Sequence, residues 1–381
     1  DHLSVVEALG REEHWLVGVE ELQCDVEDGG GLRLLGVGGF GFVIPAYYCG
    51  APVALKAMWS KQPGASMPAR RLGSIATELR VLRRLRHPNL VSFYGAYVEP
   101  DTAELVLVLE RLEGVDLEKV AMAPADVVGL RMRMKLSHDV ASALSYLHSR
   151  SPTVVHGDIK GSNVFVETLQ ASRQSAKLLD FGLSRLLGGG NTQRLGGTRL
   201  WKAPEVWART APPHHSADVY SFGWLALLVV AKMQPHGGLS GRPLQECVRD
   251  IVVRRSSPNI AMPETAPFRD ECSALSAACL RFDPPQRPSM PEIQVVLGGW
   301  VSEEAFCALG VAAAARALRH LDWEVGRESL LELDRGSEVC KESKLHFRVS
   351  DAFRVTSAEG DPATLALPCV GDSICDWLAD P

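Results

Sequence analysis

Apolar and polar positions along this chain change rhythm several times, and each change predicts an element. From Leu32 to Met58 the apolar residues alternate and break at glycines, which predicts a strand, a glycine-rich turn and two more strands. From Ser74 to Leu85 the period becomes helical, with Ile75, Leu79, Leu82 and Leu85 on one stripe and Glu78 inside it. Glu104 to Gly114 returns to an apolar strand ending in a polar turn. Leu136, Val140, Leu144 and Leu147 predict an amphipathic helix over Leu130 to His148. VFV…AKLLDFG then predicts a hairpin whose polar turn spans Glu167 to Ser175. The longest apolar stretch, Phe222 to Ala231, is too short for a bilayer and reads as a core helix.

Composition narrows the class without naming it. With 381 residues, 46% hydrophobic and 23% charged, the chain has an ordinary globular make-up and room for two or three domains. A formal net charge of −6 argues against nucleic acid as the main partner. The nine cysteines are scattered with no CxxC pair, so reduced thiols in a cytoplasmic setting are expected. No signal or transit segment opens the chain, and it begins at Asp1 rather than Met. The expectation is a cytoplasmic protein, or the intracellular part of a larger, membrane-attached one.

Chemistry concentrates in a few stretches. LGVGGFGFV sets Gly36, Gly38 and Gly41 in a GxGxxG spacing, with Gly39 adding freedom. Missing side chains let backbone N–H groups approach phosphate oxygens closely. A dinucleotide-binding loop would need these glycines to open a helix. Phe42 to Tyr48 is instead rich in strand formers, which favours strand–turn–strand, with a plain glycine-rich hairpin as the alternative. Lys56 closes an apolar VALK strand, where a cation is expensive unless paired or at a solvated edge. Glu78, on the apolar face of its helix, is the obvious partner. HGDIKGSN (His156 to Asn163) and DFG (Asp180 to Gly182) bring two carboxylates, an ammonium and a carboxamide to one hairpin. Phosphoryl transfer from metal-bound ATP asks for that set: an orienting base, a cation for the moving charge, and oxygen ligands for Mg²⁺.

HGDIKGSN and DFG resemble the catalytic loop and metal-binding motif of eukaryotic protein kinases. GGTRLWKAPE and SADVYSFG are similar to the tyrosine kinase-like group, whose members mostly modify Ser or Thr. The resemblance implies an α+β bilobal kinase fold, with ATP and Mg²⁺ as cofactors and Ser/Thr-bearing proteins as substrates. It implies a domain over 28–299, with a small lobe at 28–112 and a helical lobe at 113–299. Lys56 would contact the α- and β-phosphates and pair with Glu78. Asp158 would be the general base, typically worth about 10²–10⁴ in rate, and Lys160 would stabilise the transferred phosphoryl group. Asn163 and Asp180 would bind the metal. Gly36, Val37, Gly38, Gly39, Phe40, Gly41 and Val43 would cover the nucleotide. Ala54, Leu109, Glu110, Leu112 and Phe165 would enclose or hydrogen-bond the base, and Asp116 would face the ribose. Thr198 would bond Asp158 and Lys160, Glu205 would pair with Arg287, and Asp218 would hold the catalytic loop from below.

One position departs from the pattern. Active kinases of this family mostly carry Arg between the catalytic-loop His and Asp, to receive an activation-loop phosphate; here it is Gly157. The chain reads either as an active kinase not switched by that route or as a nucleotide-binding pseudokinase scaffold. We favour the first because Lys56, Glu78, Asp158, Lys160, Asn163 and Asp180 are all present. Phosphorylation at Ser184, Thr192 or another site in that loop then lacks its main docking cation. Thr192→Ala is expected to leave the rate of phosphate transfer nearly unchanged; a loss of about tenfold or more would mean that another cation replaces the arginine.

The flanks are less informative. HWLVGVEELQCD (His14 to Asp25), within the flank 1–27, resembles the lead-in strand before the small lobe in this group. Within 300–381, Ser302 is a candidate cap of a helix running to about Leu321. Strands are expected at Leu345–Val349 and Phe353–Val355. FRVSDAFRVTSAEG resembles the first hairpin of PAS sensor domains, with a truncated PAS-like domain or an unrelated tail as the alternatives.

Overall fold

The computed structural model describes residues 2–25, 33–37, 41–58, 78–99, 105–123, 128–170, 173–187, 197–209, 214–263, 266, 268–301, 323–325, 353–357 and 362–365. Gly38, Gly39, Phe40, Ile75, Thr192, the helix expected from Ser302 and the strand expected at 345–349 lie outside these residues.

The small lobe is a twisted antiparallel sheet. Its strands are β1 (Leu22–Cys24), β2 (Gly36–Val37), β3 (Gly41–Tyr48), β4 (Ala51–Met58), β5 (Phe93–Val98) and β6 (Leu105–Glu110). The order is β1-β3-β4-β6-β5, with β2 also on β3. Cys49 and Gly50 join β3 to β4 with φ of 47° and 82°, a two-residue turn whose twist matches the strands. The register sets Val43 opposite Lys56 and Ala54 opposite Leu109, so cleft-facing residues share one face. Helical residues 78–82 (α2) bury Leu79, Val81 and Leu82 against that sheet.

Residues upstream of the expected small-lobe boundary are built into it. Trp15 O accepts from Ala96 N at 2.8 Å, and Val17 N donates to Ala96 O at 2.9 Å, which lays this segment along β5. Gly95 permits the approach: a Cβ there would sit 2.8 Å from Trp15 O. Trp15 is buried in the main core.

The large lobe is mostly helical. It contains β7 (Gly114–Asp116), α3 (Leu117–Met122), α4 (Leu130–His148), β8 (Val154–Val155), β9 (Val164–Gln170), β10 (Arg173–Leu178), β11 (Arg185–Leu186), α5 (Pro204–Ala208), α6 (Ser216–Ala231), α7 (Gly241–Arg254), α8 (Arg269–Cys279) and α9 (Met290–Val301). In α4 the four stripe residues read from the sequence are essentially inaccessible. Burying each is worth roughly 1.5–3 kcal/mol relative to exposure. Every residue of α6 from Ser216 to Val230 is buried, as expected for a helix that is apolar all round. Arg133 ties α4 to α3 and α6 by donating to the carbonyls of Ala121, Ala123, Val128 and Val229.

The hairpin turn differs from expectation. β9 and β10 run into the segment read as a polar turn, pairing Glu167 with Ser175 and Gln170 with Arg173. Backbone hydrogen bonds continue past the apolar residues, because a ladder needs no apolar side chains to extend. In the C-terminal region, β12 (Trp323–Val325), β13 (Phe353–Ser357) and β14 (Pro362–Leu365) form an antiparallel sheet, which includes the strand expected at Phe353–Val355.

Candidate active site

Lys56 sits near the end of β4, and its ammonium is claimed by two carboxylates. Nζ lies 2.8 and 2.9 Å from the oxygens of Glu78 on α2 and 2.9 Å from Asp180 Oδ1. Glu78 is almost wholly buried, so an unpaired charge there would be prohibitive; the lysine makes it tolerable. Burial alone would pull the Lys56 pKa down, but Glu78 and Asp180 outweigh it and hold the ammonium charged. For Asp180, burial pushes upward and Lys56 outweighs it, so the carboxyl ends below its usual range. Asp180 also has φ of 60°, a strained backbone conformation of the sort found at functional sites.

Phe181, next in the chain, is fully buried and meets the His156 ring edge-on at 5.0 Å. His156 Nε2 donates to Leu179 O at 2.9 Å, and Leu179 N donates to Asn163 O at 2.8 Å. These bonds lock the strand before Asp180 to the catalytic loop. The two halves of the predicted site are therefore one assembly.

Asp158 is the hub of the second half. Its Oδ1 accepts from Thr198 N at 2.7 Å and Thr198 Oγ1 at 2.8 Å. Its Oδ2 accepts from Asn163 Nδ2 at 2.9 Å and lies 3.0 Å from Lys160 Nζ. Lys160 Nζ also donates to Thr198 Oγ1 at 2.8 Å. Asn163 Nδ2 donates to Asp158 O as well, at 2.8 Å, which turns its Oδ1 away from Asp158. Beneath the loop, Asp218 accepts from His156 N and Gly157 N, both at 2.8 Å, and from His148 Nε2 at 3.0 Å. Burial would raise the Asp218 carboxyl, but its bond to His148 and the surrounding positive charge hold it low.

Gly157 has φ of 80°, where a Cβ is strained, so glycine relaxes the loop at the position where the family's arginine would stand. Ser184 is corrected as a phosphorylation candidate. It is completely buried and its hydroxyl donates to His156 O at 3.1 Å, which leaves no room for a phosphate.

Further along, Arg287 meets Glu205 in a two-bond pair at 2.7 and 2.8 Å, with the arginine side chain fully enclosed. The remaining guanidinium donors go to Arg281 O, Ser216 O and Phe282 O.

The strap between the lobes departs in detail from the sequence reading. Ala54 and Leu109 are buried where the base-enclosing surface was expected, and Phe165 lies opposite Asp116 on β9. The Glu110 carboxylate is taken by Lys177 at 2.7 and 2.8 Å and by Ser92 N at 3.1 Å. Asp116 caps α3, accepting from Lys119 N at 2.9 Å, and its other oxygen lies 3.0 Å from Lys119 Nζ. A ribose would have to compete with Lys119 for it. Lys177 and His148 were missed by the sequence reading. Lys177, set between Ala176 and Leu178 three residues before Asp180, was the available signal.

The donor set fits Mg²⁺. Among the described residues no three His, Cys, Asp or Glu side chains converge on a self-sufficient metal cage. Asn163 and Asp180 offer hard oxygen atoms only, which suits a cation that takes one or two protein ligands and completes its shell with phosphate and water.

A β-rich lobe and a helical lobe that close an ion-paired lysine over such a loop define a phosphotransferase scaffold. A family model described as protein kinase domain matches residues 31–296, and the chain belongs to that family. It is 32% identical over 267 residues to serine/threonine-protein kinase CTR1 of Arabidopsis thaliana, covering 69% of this chain and 30% of that protein. It is 30% identical over 269 residues to probable serine/threonine-protein kinase drkD of Dictyostelium discoideum, covering 71% and 19%. To L-type lectin-domain containing receptor kinase S.1 of Arabidopsis thaliana it is 33% identical over 315 residues, covering 78% and 45%. The chain thus spans less than half the length of each of these relatives. Two of the three are serine/threonine kinases by name, in line with the tyrosine kinase-like resemblance.

Proposed function

We propose that this chain transfers the γ-phosphoryl group of ATP to serine and threonine hydroxyls of proteins. The observation that carries the reading is Lys56 held between Glu78 and Asp180, which aims one cation at the place where a triphosphate and its metal belong. Bound ATP would supply the phosphoryl group, and Asn163 and Asp180 would hold Mg²⁺, which would offset charge on the phosphate oxygens. Asp158 orients the acceptor hydroxyl and takes its proton late in the transfer, while Lys160 steadies the phosphoryl oxygens. Gly36, Val37 and Gly41 would lie over the phosphates; Val43, Ala54, Leu109, Leu112 and Phe165 would enclose the base, and the backbone of Glu110 to Leu112 would bond it. Cys24, Cys49, Cys247, Cys272 and Cys279 are free thiols, which supports a cytoplasmic setting, or the cytoplasmic side of a membrane-attached parent. Among the described residues no helix is long and apolar enough to cross a membrane.

The test is transfer of labelled phosphate from ATP to a generic basic protein. Wild type should label it, and Asp180→Asn should not. Equal background counts from both would leave an ATP-binding scaffold in place of the enzyme.

A further inference from the structure

Directly after α2 this acidic chain carries three arginines close together, Arg83, Arg84 and Arg86. They line an open pocket of about 240 Å³, walled also by the turn at Glu13 to Trp15 and by the start of β5. That volume has room for a phosphate group and the waters around it. The N-terminal wall is firmly built. Trp15 N and Leu16 N both donate to Gly10 O, at 2.9 and 3.1 Å, and the buried Trp15 donates through Nε1 to Glu13 Oε2 at 2.9 Å. Arg83 forms an ion pair with that same oxygen, so the one carboxylate in the lining is matched to it. Arg86 Nη1 donates to Leu85 O at 2.6 Å, which fixes its guanidinium at the helix end, where a cation is favoured. Among the described residues neither Arg84 nor Arg86 is paired with a carboxylate. Three arginines against one glutamate leave two positive charges without a counter-charge.

From this charge balance and this volume we infer that the pocket docks a phosphorylated side chain of a partner protein. A phosphate monoester carries a charge of about −1.5 to −2 at neutral pH, which answers the two unpaired arginines. Its oxygens accept paired bonds from guanidinium forks, a geometry in which arginine surpasses lysine. A carboxylate brings half that charge and would leave one arginine uncompensated. Tyr94, 49% exposed in the same lining, offers a ring to the residues that flank the phosphate. None of the lining residues belongs to the set gathered around Lys56 and Asp158, so a docked partner does not occupy the cleft. The site stands whether or not the chain transfers phosphate.

The test measures retention of a degenerate peptide library with one fixed phosphoserine on the immobilised full chain, beside its unphosphorylated twin. Wild type should retain the phosphorylated library about tenfold better, the ratio typical of one hydrogen bond to a charged group. Arg84→Gln combined with Arg86→Gln should bring the two libraries within about twofold of each other. Arg84→Gln alone, at an exposed position, should lower the preference in part and keeps the proposal testable if the double variant does not fold. A wild type that retains both libraries alike overturns the inference. So does a preference that survives both variants, which would place the phosphate elsewhere on the chain. Inorganic phosphate that displaces the library at equal concentration would make this a free-anion site and overturns it too. Retention on phosphatidylcholine vesicles carrying a phosphoinositide, with none of the library, would assign the arginines to a membrane surface and likewise ends the proposal.

Discussion

Asp158→Asn should lower kcat for phosphate transfer by about 10²–10⁴. The argument is in the hydrogen bonds. Both carboxylate oxygens receive donors: Thr198 N and Oγ1 on one, Asn163 Nδ2 and Lys160 on the other. An asparagine keeps the size but turns an NH₂ toward one of those donor sets, where no acceptor awaits it. It also removes the lone pairs that would take the substrate proton. The loss should appear in kcat, with a smaller change in KM for ATP, because Lys56, Glu78 and Asp180 form a separate ion-paired set. Steady-state kinetics decides the matter, and a fall of less than about tenfold would remove Asp158 from the role of base.

Arg287→Ala should be the most damaging single change to stability, costing about 3–5 kcal/mol. Truncation leaves the Glu205 carboxylate, only 12% exposed, without its two donors. It also strips partners from the carbonyls of Ser216, Arg281 and Phe282. Urea unfolding of the single variants and of Arg287→Met with Glu205→Leu measures the coupling. The double variant should be less unstable than the sum of the two singles, since it leaves no buried charge alone. Strict additivity would show that the pair is not coupled.

The catalytic half of the site was legible because its residues crowd into short, ordered stretches. Asp158, Lys160 and Asn163 lie within six positions, and loop geometry delivers them together once the backbone is fixed. The α4 helix was legible for a related reason: its stripe is long and periodic, and the structure begins and ends it at Leu130 and His148. What escaped were pairings between distant, unremarkable residues. Glu110 and Lys177 are 67 positions apart, and nothing local distinguishes that glutamate from a solvated one. The same holds for His148 with Asp218, 70 positions apart. The length of β9 and β10 escaped for another reason, since strand extension past the apolar residues rests on backbone bonds that leave no mark on composition. Asp116 was assigned to a ribose on position alone, and helix capping, a strong local preference for aspartate, also draws on its carboxylate.

The segment laid along β5 matters to anyone excising this domain. The homologous region begins at residue 31, yet Trp15 to Val17 already cover the outer strand and fill the notch left by Gly95. A fragment trimmed to the homology boundary would uncover unpaired amides on that strand beside a vacated apolar hollow, an invitation to stick to its own copies. The practical beginning of this domain therefore lies upstream of the residue at which the family model starts to match.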